Sequence, residues 1–160
     1  MCKSSKFVYQ LGRILFAIPF IIFFVLKIIN WQSSVDSLDH ALTMWKNEVG
    51  GTFLGSFIDV MIQLEIVILV AACLFELVGG VLLLLGIRIR LAGWLLVLFL
   101  LPVTLVMHPF WFADTATMFP MVADFFKNLA LLGGAFVFAA GVGCHDCHCH
   151  EEAHQRDDRV

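Results

Sequence analysis

Charge is scarce in this sequence: Lys, Arg, Asp and Glu make up 14% of its 160 residues, where a soluble domain carries about a quarter. With 61% hydrophobic residues and a mean hydropathy of +0.93, one small core cannot hide the apolar surface, so lipid must solvate much of it. Basic residues are equally sparse. The net charge is −3 and no Lys/Arg stripe forms, which excludes a nucleic-acid partner. Five cysteines, Cys2 and Cys73 alone and three crowded at the C-terminus, do not make the framework of a secreted disulfide protein. Tyrosine occurs once, against 16 Phe and four Trp. Dyad alternation is missing too, which excludes a membrane barrel.

Present instead are four continuous apolar runs. A helix needs about 20 apolar residues to cross a hydrocarbon core of ~30 Å. The runs predict spans over about 11–30, 57–87, 90–108 and 122–142, an all-α integral membrane four-helix bundle occupying 1–143. Lys3 and Lys6 precede the first run as in a secretory signal, but bulky residues follow it and no small-x-small cleavage site appears, so it reads as a retained span. Lys3, Lys6, Arg13, Arg88 and Arg90 lie at one end of the predicted bundle. Asp36, Asp39, Glu48, Asp59, Asp114 and Asp124 lie at the other, with Lys46 the main basic exception. The positive-inside rule then puts both termini in the cytoplasm of a cell with a multi-pass inner-membrane protein. Trp31, Trp45, Phe110 and Trp111 would be aromatics of the outer interface.

Between the first two spans, Val35, Leu38, Leu42, Trp45 and Val49 recur at steps of three and four residues, the stripe of an amphipathic helix. Gly50-Gly51 ends it. Such a helix lies on the outer surface or caps the bundle. Pro19 and Pro102 can kink the first and third spans.

Ionisable side chains inside a bilayer are expensive and require an explanation. Glu65 and Glu76 are eleven residues apart, so they share a helix face at ~16 Å along the axis. Gly79 and Gly80 continue near that face, which points into the bundle. Chain direction gathers Lys27, Glu65, His108, Lys127 and Asn128 into one outer layer and leaves Glu76 by itself, nearer the middle. The lysines snorkel and pair locally, or the layer forms a pocket for a quinone head group, an anion or a proton relay. His108 would be its natural pH-responsive member.

Leu11-Gly12-Arg13, Lys27, Glu76-Leu-Val-Gly79-Gly80, then Gly86, Arg88, Arg90 and Ala92, His108, and Phe126-Lys127-Asn128-Leu129-Ala130 leading to Gly133-Gly134 follow one another in an order that resembles the DoxX family of four-helix membrane proteins. The resemblance spans about 7–141. Phe24 stands where the family often has glycine, and the first outer loop is longer than usual. The resemblance implies respiratory or oxidative-stress chemistry, as in subunits of an archaeal thiosulfate:quinone oxidoreductase and in membrane anchors of redox assemblies. It brings no agreed catalytic residues with it.

The tail, 144–160, contains Cys144, Cys147, His148, Cys149 and His150. These are soft and borderline ligands suited to zinc or copper(I). A redox dithiol and a polar tail that binds metal adventitiously are the other readings. Cys144-His-Asp-Cys147-His148 also spells the haem-attachment string, but haem is attached outside the cytoplasm, opposite to the expected side. No flavin or nucleotide motif occurs. With the resemblance, the expectation is a DoxX-like inner-membrane accessory or subunit protein of quinone-linked redox or oxidative-stress chemistry, a non-catalytic subunit sooner than a stand-alone enzyme. It would sit in the lipid bilayer, with a redox protein or a second copy of itself as partner. A metal-handling transporter and a structural anchor for soluble partners are the alternatives.

Overall fold

The computed structural model describes residues 2–141; the Cys/His tail lies outside them. Six helices follow in order: α1 (Cys2–Ile29), α2 (Trp31–Val49), α3 (Phe53–Gln63), α4 (Glu65–Leu85), α5 (Ile89–Met107) and α6 (Met118–Ala140), with one 3₁₀ turn at Phe110–Phe112. The expected all-helical class is what the chain adopts. Among the described residues, four stretches are long and apolar enough to cross a membrane: Lys6–Ile29, Glu65–Leu85, Ile89–Phe112 and Met118–Ala140. Their outward faces carry half-exposed large side chains such as Ile22, Val67, Trp94 and Val137, as helices solvated by lipid require.

Helices α1, α4, α5 and α6 pack antiparallel in sequence. Arg13 lies against Gly86, Phe20 against Gly80 and Lys27 against Glu76, so α1 and α4 run in opposite directions. Gly79 faces Leu96 across α4 and α5, and Gly93 meets the Ala139 backbone across α5 and α6. Without lipid-excluding pressure between helices, close backbone approach at small residues supplies the dispersion contact that holds them. Phe20, Leu83, Leu96, Leu100, Ala135 and Phe138 fill the centre. Glycine is required by conformation at two helix ends: Gly86 and Gly141 both have φ 74, closing α4 and α6 in the left-handed region that L side chains disfavour. The guanidinium groups of Arg13 and Arg90 lie where a side chain on these two glycines would point, beside the partially negative carbonyl ends of the two helices.

Where the sequence reads one span over 57–87, the chain forms two helices divided at Leu64, whose φ −106 and ψ 13 leave the α region. The division follows from docking. Ile58 of α3 is buried against Leu38 and Leu42 of α2, and Lys46 bridges to Asp59 at 2.6 Å. Held on α2 by these contacts, α3 keeps Asp59 and Gln63 off the span, which starts at Glu65.

The amphipathic helix foreseen from the three-four spacing is α2. It joins α1 with only Asn30 between them and buries Leu38, Ala41 and Leu42 on the bundle end. Trp45 fixes its far end: the indole N–H donates to the Val106 carbonyl at 3.2 Å, one of the last-turn acceptors that α5 itself cannot satisfy. The Trp45 ring also meets Trp111 and Phe112 edge-on. In the following loop, Asp114 Oδ1 accepts from the Thr117 amide and hydroxyl at 2.8 and 2.6 Å. These two bonds hold the Asp114 carboxyl below the usual carboxylate range.

Gly93→Ala is expected to destabilise the bundle by about 1–3 kcal/mol, the usual cost of overpacking, because the added carbon would meet Ala139 backbone. Unfolding in a mixed-micelle titration reads this out. Gly133→Ala, which has open space, should shift the midpoint little.

Candidate functional site

Lys27 and Glu76 form the only ion pair among the described residues in which one partner is fully buried. Lys27 Nζ donates to Glu76 Oε2 at 2.6 Å, with the lysine side chain 29% and the glutamate 2% exposed. Helix geometry explains how the two meet. Side chains tilt toward the N-terminus of their own helix, and α1 and α4 are antiparallel. Lys27, in the last turn of α1, therefore leans into the bundle, while Glu76 leans back toward the α2 end. Lys27 thus reaches inward instead of snorkelling out. The Phe99 ring of α5 covers the ammonium, with its centroid 4.8 Å from Nζ; cation–π attraction of this kind strengthens when the cation is desolvated.

Two cavities flank the pair. The smaller, about 260 Å³, is bounded by Lys27 and Phe23 of α1, Glu76 of α4, Leu100 of α5, and Asn128 and Leu131 of α6. Its floor is buried, with Phe20, Glu76 and Leu100 at 1–2% exposure, while Phe23 and Leu26 on its rim are half exposed. It is therefore a cleft opening sideways between α1 and α6. Those helices touch nearer the other end, where the Phe16 ring occupies the space left by Gly134. The larger cavity, about 520 Å³, lies under α2 between α4 and α5 and includes Leu69, Ala72, Pro102 and His108 in its wall. Lys27, Ser34, Phe99 and Val103 border both.

The six candidate residues are thus divided. Lys27, Glu76 and Asn128 meet at the smaller cavity, and Lys27 and His108 border the larger one. Glu76, expected alone, is the partner of Lys27. Glu65, expected in the layer with Lys27, borders neither cavity; it opens α4, with one carboxylate oxygen buried and unpaired. Lys127 pairs with Asp124 on its own helix at 2.8 Å and is 72% exposed. Sequence reasoning passed over Phe99 and Ser34, which no spacing distinguishes from lipid-facing or capping residues. The break at Leu64 accounts for the depth error. Starting the span eight residues later moves Glu76 ~12 Å nearer the α2 end at ~1.5 Å per residue. Cys144, Cys147, His148, Cys149 and His150 lie outside the described residues. Within them, no three His, Cys, Asp or Glu side chains stand close enough to hold a metal.

The DoxX family pattern matches residues 8–109. This chain belongs to the DoxX family. No curated protein and no solved structure matches it. The matched region of this DoxX chain runs from α1 to the end of α5 and contains Lys27, Glu76, Phe99 and His108. It stops before α6, so Asn128 and Lys127, which the sequence resemblance had included, lie beyond it.

Removing one partner of a buried pair strands the other in a low dielectric, at a cost of about 3–5 kcal/mol. Glu76→Met and Lys27→Met are each expected to destabilise strongly, with Lys27→Met the milder because it leaves a neutralisable acid. Lys27→Met/Glu76→Met should recover most of the loss. A double-mutant cycle on unfolding midpoints checks this, and additive effects would mean the pair is not coupled.

Proposed function

We propose that this DoxX-family chain is an accessory subunit of quinone-linked redox or oxidative-stress chemistry in a cell inner membrane, and that it holds a quinone head at Lys27. The observation that carries the reading is the position of the ammonium: half-buried against a fully buried carboxylate, and bordering two largely apolar cavities at once. Ionisable groups are retained inside a bilayer chiefly where they act on a ligand, ion or proton. An ammonium has three N–H donors, and Glu76 takes one. The others are available to a quinone carbonyl, which gains negative charge on reduction and is then held more strongly. The Asn128 amide offers a second donor across the smaller cavity, and Phe99 an aromatic face against which a ring can lie. Apolar walls with a few convergent polar groups are the common form of small-molecule sites.

Electrons would come from a partner redox protein. The basic groups Lys6, Arg13, Arg88 and Arg90 lie toward the end opposite α2, and Asp36, Asp39, Glu48, Asp59 and Asp114 lie toward the α2 end. By the positive-inside rule this supports cytoplasmic termini and an outward-facing α2. The metal-handling reading draws on the tail alone and gains no support from the described residues.

The test uses purified chain in nanodiscs and a head-only quinone, 2,3-dimethoxy-5-methyl-1,4-benzoquinone, followed by quenching of tryptophan fluorescence. A hydrogen bond to a charged group is worth about 1.5–3 kcal/mol, so the folded Lys27→Met/Glu76→Met variant should bind at least ~10-fold more weakly. Equal binding by the two proteins would remove the quinone from this site.

A further inference from the structure

The larger cavity has twice the volume of the smaller, and its lining is apolar apart from Lys27, His108 and three serines. Ser33, Ser34 and Ser37 of α2 form its roof, yet the Ser34 and Ser37 hydroxyls already donate to the Asn30 and Ser33 carbonyls at 3.1 and 2.7 Å. Their donors are spent on their own helix. Leu69, Ala72, Phe99, Val106 and Met107 supply apolar wall. A space of this size and chemistry exceeds what a quinone ring needs, and the Lys27 end accommodates the ring. It suits a flexible hydrocarbon chain, and it adjoins the head site at Lys27, Ser34, Phe99 and Val103, which border both cavities.

We propose that the ligand is a lipid-tailed amphiphile, whose polar head meets Lys27 and whose hydrocarbon chain lies beneath α2 in the larger cavity. The inference rests on the quinone reading of the Lys27 site and adds the ligand class: a membrane-dissolved, chain-bearing quinone in place of a small soluble one. The apolar chain adds packing contact with the cavity wall, and Lys27 fixes which end stays at the ion pair. Half-exposed Phe75 and Leu98 on the wall mark where the space reaches lipid between α4 and α5, so a longer tail can continue into the bilayer.

The test compares the head-only quinone with its 6-decyl derivative, on the full chain and on Ala72→Phe, in nanodiscs of one lipid composition. Counted per molecule dissolved in the bilayer, dispersion contact of the chain with the cavity wall should make the decyl compound bind several-fold tighter to the unaltered chain. Ala72→Phe fills part of the larger cavity without touching the smaller one, and should erase most of that gain while head-only affinity stays within about twofold. Partitioning of the decyl compound into lipid is common to both proteins and cancels between them. Ala71→Leu, on the same wall, repeats the comparison if the phenylalanine variant does not fold. Equal affinity of the two quinones for the unaltered chain, or a decyl gain surviving in both folded variants, overturns the tail assignment and leaves the head site standing. Failure of both quinones to bind the unaltered chain overturns the quinone reading itself.

Discussion

One short ion pair organises the α2 end of this protein. Taking an ammonium and a carboxylate out of water costs several kcal/mol per ion, and the Lys27–Glu76 contact offsets that cost only while α1 and α4 hold their register. That register is kept elsewhere, by the close approach of Phe20 to Gly80 and of Arg13 to Gly86. The rest of the bundle therefore serves the pair as much as the pair serves the bundle.

The roof is built by a different principle. The helices α2 and α3 carry Asp36, Asp39, Lys46, Glu48 and Asp59. Their apolar faces close over the bundle through Leu38, Leu42 and Ile58. Polar and apolar surfaces are thereby sorted by depth: ions at the roof, one pair beneath it, hydrocarbon around. The Trp45 bond to Val106 closes the end of α5 and the end of α2 with a single donor.

Much of the architecture was legible in the sequence because hydrophobic run length and three-four spacing are local signals. The runs ending near Ile29, Met107 and Val142, and the stripe from Val35 to Val49, needed no tertiary information. The break at Leu64 was not legible, since Phe57 to Leu64 is apolar enough to belong to the span and only docking on α2 separates it. That one misplaced start put Glu65 beside Lys27 and left Glu76 isolated. Facing of side chains across helices, as with Phe99 over Lys27, depends on helix rotation, which no single-chain pattern encodes. The polar groups that ended outside the site, Glu65 and Lys127, were drawn in by depth alone.

Asn30 is the single residue between α1 and α2, and it sits three positions after Lys27. The helix that bears the ammonium and the helix that roofs the cavity are consequently two arms of one lever, with a pivot of two backbone torsions. Whatever tilts the roof, from a docking protein to a change in lipid thickness, also loads the arm that carries Lys27.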